Sequence, residues 1–214
     1  AGEGGGVLRN QGPHQLDLWQ WICGMPVSVE AKLSYGLWHD IEVEDDVTAY
    51  VKYANGATGV FVTTTGDAHG TNRLEIQLDR ARIVVENGKI SLLVYEMTQQ
   101  AFSKTNTEPF ATVAASKVEV ETDGENPQHV GVINAWGGAI LRGEPLVADG
   151  SEGINGLTLS NAMHLSSWLG HEVKLPLDEA LFYGELMKRV AGSKKKANVK
   201  EAVADTAATY GGNG

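Results

Sequence analysis

Val47-Thr48-Ala49-Tyr50-Val51-Lys52-Tyr53-Ala54-Asn55-Gly56-Ala57-Thr58-Gly59-Val60-Phe61-Val62 is the most informative stretch of this 214-residue chain. Val47, Ala49, Val51 and Tyr53 alternate with Thr48, Tyr50 and Lys52, the period of a strand with one face toward a core. Asn55-Gly56 interrupts the run, and Val60 and Val62 resume it. Asn-Gly between alternating runs predicts a hairpin, because both residues accept positive φ. Upstream, Val27, Val29 and Ala31 alternate with polar neighbours. Downstream come Leu74, Ile76 and Leu78, then Ile83-Val84-Val85, a second Asn-Gly at Asn87-Gly88, and Ile90, Leu92 and Val94. Residues 27–95 therefore read as an antiparallel meander of five or six strands, one face buried and the other polar or small.

Residues 99–116 have weak periodicity and read as a loop, and Val118 and Val120 suggest another strand. Helical spacing marks four segments. Residues 14–24 follow Gly12-Pro13 and place Leu18, Trp21, Ile22 and Met25 on a stripe. Residues 128–142 carry Val132, Trp136, Ala139 and Ile140. Residues 152–169 carry Leu157, His164, Leu165, Trp168 and Leu169, with Gly170 as the stop. After a short strand within Glu172 to Leu177, Asp178 caps a last helix reaching about Ala191, with Phe182, Leu186 and Val190 as its stripe. Helix, strands, then helices is the α+β order, a large open and mainly antiparallel β-sheet with helices packed on one face. One domain over residues 1–192 and a mobile tail over 193–214 are expected. The tryptophans at 19, 21, 38, 136 and 168 read mostly as core, with one at a ligand mouth.

Composition narrows the function. Hydrophobic residues make up 42% of the chain, enough for a globular core. Against 17 Lys and Arg stand 27 Asp and Glu, and a net charge of −10 argues against nucleic acid as a partner. Cys23 stands alone, so no internal disulfide forms, which fits a cytoplasmic location. No apolar run is long enough to span a membrane, and the N-terminus lacks a signal peptide's regions. With no initiating Met, the chain is expected to be a fragment or a processed product.

Chemistry-bearing residues are few. The glycines at 2–6 do not complete G-x-G-x-x-G, and no strand precedes them, so a dinucleotide fingerprint is absent and a flexible lead-in or a close backbone approach is expected. His14 and Asp17 are three apart and share a helix face, and a helical turn extended back to Asn10 would add its amide. An imidazole oriented by a carboxylate is the raw material of acid–base catalysis; a helix cap and a solvated carboxylate are the plainer alternative. Glu42-Val43-Glu44-Asp45-Asp46 lacks a cation-loop pattern and reads as a solvated strand start. The loop Gly66-Asp67-Ala68-His69-Gly70-Thr71-Asn72-Arg73 is polar, and a binding role and a plain connection both remain open. His164 reads as a core or interface histidine, His129 and His171 lack partner spacing, and Cys23 reads as packing. No zinc-ligand cluster is expected.

Gly4-Gly5-Gly6-Val7-Leu8-Arg9-Asn10-Gln11-Gly12-Pro13-His14-Gln15-Leu16-Asp17 resembles a signature of the Gfo/Idh/MocA oxidoreductases, which include glucose–fructose oxidoreductase and inositol dehydrogenase. Glu44-Asp45-Asp46-Val47-Thr48-Ala49 and Asn55-Gly56-Ala57-Thr58-Gly59 look like the next strands of that family, and the likeness runs over about residues 2–190. The resemblance implies the second of two domains, similar to the C-terminal domain of glyceraldehyde-3-phosphate dehydrogenase. A Rossmann domain that binds NAD or NADP and carries a Glu-Lys-Pro lysine is absent from this chain. It implies an NAD(P)-dependent oxidation of a sugar or polyol, inactive in this chain alone, with His14 orienting or deprotonating the hydroxyl that loses hydride to the nicotinamide. Asn10 and Asp17 are implied substrate contacts, Asn10 standing where members often carry Asp, and His69, Asn72 and Arg73 are weaker ones. A homo-oligomer through the sheet face is implied as well. Two alternatives stand beside it: a non-catalytic sheet-mediated association module, and a subunit completed by a separate Rossmann partner.

Overall fold

The computed structural model describes residues 5–194, so most of the expected tail at 193–214 lies outside the described residues. The described residues divide into two compact units, one built from 5–66 and 150–194, the other from 67–149. Both combine antiparallel strands with helices, the α+β class the sequence predicts. Among the described residues, eight strands fall into two four-stranded sheets.

The first unit opens with α1 (Val7–Asn10) and α2 (Pro13–Cys23), followed by β1 (Ser28–Tyr35), β2 (Glu44–Lys52) and β3 (Thr58–Thr64). Its sheet has the order β3-β2-β1-β8, where β8 is Val173–Lys174, and every pairing is antiparallel. The predicted hairpin forms at Asn55-Gly56: Gly56 takes φ +87°, and the Asn55 side chain accepts the Ala57 N–H at 3.0 Å. Helix α5 (Gly153–Leu169) packs on β1 and α2, and α6 (Glu179–Gly192) packs on α5. Asp178 caps α6 as expected, accepting the Leu181 N–H at 2.9 Å, and Gly170 ends α5 at φ +74°.

The core takes Val29 and Ala31 from β1, Val47, Ala49 and Val51 from β2, Phe61 from β3, Leu16 and Trp19 from α2, and Leu159 and Met163 from α5. The Val, Leu, Met and Phe side chains among them each stabilise by about 1.5–3 kcal/mol when fully buried. Trp19 stacks on Phe61 with ring centroids 5.6 Å apart. Gly59 makes room for it, since a Cβ there would meet the Trp19 ring at 2.8 Å. Two periodicity readings shift as a result. The buried face of α2 is Leu16, Trp19 and Gln20, while Leu18, Trp21 and Ile22 are exposed. On β3, Phe61 opposite Ala49 faces the core, while Val60 and Val62 point away. In both places apolar residues lie on two faces, so period alone cannot choose between them. Trp19 alone of the tryptophans is fully core; Trp21, Trp38 and Trp136 are exposed.

The second unit holds β4 (Arg73–Gln77), β5 (Ala81–Glu86), β6 (Lys89–Tyr95) and β7 (Ala115–Val118) in sequential antiparallel order. Asn87-Gly88 is a two-residue turn with both φ positive, 52° and 69°, joining paired Glu86 and Lys89. The expected loop at 99–116 contains a short helix, α3 (Gln99–Thr105), whose cap Thr98 accepts the Ala101 N–H at 3.1 Å. Helix α4 (Gln128–Arg142) has the predicted bounds, with Val132, Trp136 and Ile140 exposed.

Candidate functional site

The glycine-rich lead-in is a close approach between backbones. A Cβ on Gly6 would lie 1.8 Å from the Glu44 carbonyl oxygen of β2, so only glycine fits there. The Glu44 carboxylate fills the start of α1: the Gly6 N–H donates to both oxygens at 3.0 Å, and the Leu8 N–H to Oε1 at 3.1 Å. These N–H groups are the ones a helix start would offer a phosphate. With Glu44 in place, these N–H groups already have an acceptor.

Glu44 and Asp45 correct the reading of 42–46 as a solvated strand start, for both are buried, at 1% and 0% exposure. The cause is a β-bulge. Ser34 pairs with Asp46 and Tyr35 with Glu44, leaving Asp45 as the extra residue and turning Glu44 onto the core side beside Tyr35. The pattern carried half of this signal, because Asp45 lies in period with Val47, Ala49 and Val51.

Both carboxylates are satisfied. Asp45 accepts the N–H groups of Leu37, Trp38 and His39 at 3.0, 2.8 and 3.0 Å. Beyond the α1 contacts, Glu44 Oε2 lies 3.1 Å from His164 Nε2. His164 Nδ1 donates to the Ser160 carbonyl at 2.8 Å. This is the core histidine the helix pattern predicts, and the pattern does not reveal its carboxylate partner. Burial pushes the Glu44 carboxyl up, but His164 and the backbone N–H groups outweigh it and hold it below its ordinary value. Asp45 is likewise held low, its three N–H donors outweighing burial. Depressed carboxyls contribute stability above their unfolded values, roughly 3.9–4.3, and lose it as pH falls through the folded ones. The urea midpoint of unfolding is therefore expected to hold from pH 7 to about pH 5 and then to drop steeply below about pH 4. A flat profile down to pH 3 would contradict this.

The candidates lie next to that anchored segment. Asn10 ends α1, and the Gly12 N–H to Val7 carbonyl bond at 2.7 Å closes the turn before α2. The helix carrying His14 starts at Pro13, so the continuous helical face from Asn10 does not form; the three candidates sit on two consecutive helices. Asn10, His14 and Asp17 are exposed, and the His14 imidazole makes no hydrogen bond to a described residue. Asp17 Oδ1 accepts from Gln20 at 3.0 Å, and Gln20 in turn accepts from Asn155 of α5 at 3.2 Å. Asp17 thus points down its helix to Gln20, with Oδ2 free of described partners. Arg9, between the core residues and Asn10, donates to Asn161 of α5.

His69, Asn72 and Arg73 belong to the second unit. Asp67 organises their loop, accepting from the N–H groups of His69 and Gly70 and from the Thr71 hydroxyl at 2.7 Å. Arg73 bridges Glu75 at 2.6 Å and Glu86 at 2.8 Å, while His69 and Asn72 are exposed. A cleft of about 490 Å³ in the first unit, lined by Leu33, Tyr35, Glu42, Ser167, Trp168 and Arg189, includes none of the candidates. Among the described residues no group of three or more His, Cys, Asp or Glu is placed to hold a metal, and no helix is long and apolar enough to cross a membrane. Cys23 is partly buried against the core, and burial pushes its thiol pKa up.

Residues 1–90 match the family model of the GFO/IDH/MocA C-terminal domain. Over this stretch the chain is similar to Gfo/Idh/MocA C-terminal domains. The match takes in α1, α2 and the β1–β3 sheet, the segment whose motifs carry the resemblance. Solved structures agree on the fold. The WlbA dehydrogenase of Chromobacterium violaceum, crystallised with NADH and UDP-GlcNAcA, is 26% identical with a TM-score of 0.56, over 81% of this chain and 47% of that one. Its Bordetella pertussis counterpart is 24% identical with a TM-score of 0.56, over 81% and 46%. The aldose-aldose oxidoreductase of Caulobacter crescentus, complexed with glycerol, is 20% identical with a TM-score of 0.62, over 80% and 48%. The chain thus spans about half the length of these oxidoreductases. No curated protein matches the sequence.

Proposed function

We propose that this Gfo/Idh/MocA domain is the substrate half of an NAD(P)-dependent dehydrogenase of sugars or polyols. The observation that carries the reading is His14, an exposed imidazole with no hydrogen-bond partner among the described residues, on a helix whose preceding turn is anchored in the core. In this reading His14 orients the reacting hydroxyl and takes its proton, while Asn10 and the free Oδ2 of Asp17 hold neighbouring hydroxyls. The nicotinamide, NAD or NADP, is supplied by a Rossmann domain, joined to this chain or on a separate subunit, in the cytoplasm. The solved relatives crystallised with NADH and a nucleotide-sugar support that class of reaction.

A second reading, sheet-mediated association, has one observation in its favour. Tyr50, Val60 and Val62 are exposed together on the outer face of the first sheet, with Tyr50 paired to Val60. The two readings are compatible in a homo-oligomeric enzyme. The purified chain, given NAD or NADP and a panel of sugars and polyols, is expected to produce no reduced nicotinamide and to elute larger than a monomer. Turnover by this chain alone would overturn the substrate-half reading, and a strict monomer at high concentration would overturn association.

A further inference from the structure

The buried Glu44–His164 pair lies apart from the residues that would touch substrate, yet it grips the segment that carries them. Three elements meet at one carboxylate: β2 supplies it, α1 donates Gly6 and Leu8 N–H groups to it, and α5 brings His164 within 3.1 Å. His164 is itself fixed by its Nδ1 bond to the Ser160 carbonyl. Helix α1 has four residues, too few to hold its own conformation, so its placement comes from outside. Asn10 is its last residue, and the Gly12–Val7 bond passes its position on to Pro13 and His14. A shift of Gly6–Leu8 therefore reaches the candidate site within two turns. The charged and titratable groups around Glu44 are Arg9 on α1, His164 on α5 and Tyr35 on β1.

We propose that Glu44 and His164 are positioning residues for the Asn10–His14–Asp17 site, setting where α1 sits and thereby where His14 presents its imidazole. This rests on the reading of His14 as the proton-handling group. Both partners are almost fully buried, so the pair is rigid, and neither is placed to touch substrate itself.

The test uses Glu44→Gln, His164→Leu and His164→Gln in the full-length protein, with His14→Ala as reference. It reads kcat, the KM values for polyol and nicotinamide, and amide hydrogen exchange. Gln can still offer an N–H to Glu44, whereas Leu cannot. His164→Leu is expected to lower kcat about 100-fold with the nicotinamide KM unchanged. Exchange protection should fall at residues 6–10 and persist in the β1–β3 sheet and α5, and His164→Gln should recover most of both. Wild-type kcat in Glu44→Gln and His164→Leu, alongside an inactive His14→Ala, would overturn the positioning role. So would exchange that is unchanged at 6–10 or raised uniformly across the unit. If His14→Ala keeps full activity, the reading of His14 fails instead. The exchange pattern then decides the pair: loss confined to the α1–α2 segment sustains it, and any other pattern overturns it.

Discussion

His14→Ala is expected to reduce turnover on a sugar or polyol by about 10²–10⁴-fold, the usual range for removing a positioned acid–base group. The imidazole is exposed and has no hydrogen-bond partner among the described residues, so its loss leaves none of their buried groups unsatisfied. The change should therefore appear in kcat, with the urea midpoint within experimental error of wild type. Binding of nicotinamide should be unaltered, because in this reading a Rossmann domain holds it. Steady-state kinetics beside denaturation separate the cases. An active His14→Ala variant would remove this residue from the chemistry, and an unfolded one would make it structural.

Glu44→Ala is expected to cost about 3–5 kcal/mol of stability, because three donors lose one buried acceptor at about 1–3 kcal/mol apiece. The substitution strands His164 Nε2 and leaves the Gly6 and Leu8 N–H groups without an acceptor in a site that is 1% exposed. Glu30→Ala, on the outer face of the same sheet, is the control and should stay within about 0.5 kcal/mol. Urea denaturation followed by circular dichroism reads both. Equal small losses would show that Glu44 is not the anchor described here.

The outline of the fold was legible because its signals are local. Each Asn-Gly pair marked a turn that forms, Asp178 and Gly170 marked helix ends that form, and alternation marked six of the strands. What stayed hidden depends on partners distant in sequence. Nothing in Glu42–Asp46 announces the bulge that turns Glu44 inward, because a bulge belongs to a pairing of two strands. His164 was readable as a core histidine, but its partner lies 120 residues away along the chain. The stripes of α2 and β3 were ambiguous because Trp21, Ile22, Val60 and Val62 are as apolar as the residues that are buried. For the site, the spacing of His14 and Asp17 was visible, whereas the bond that turns Asp17 toward Gln20 depends on a rotamer. Neighbouring helices, and not one continuous face, carry Asn10 and His14, because the turn through Gly12 ends α1 first.

The coding sequence immediately upstream of Ala1 tests the central claim most directly. The account predicts an in-frame strand–G-x-G-x-x-G–helix segment and a Glu-Lys-Pro motif ahead of this domain, the nicotinamide half that completes the site. A start codon directly before Ala1, with no Rossmann sequence ahead of it, would contradict the back half of a fused dehydrogenase.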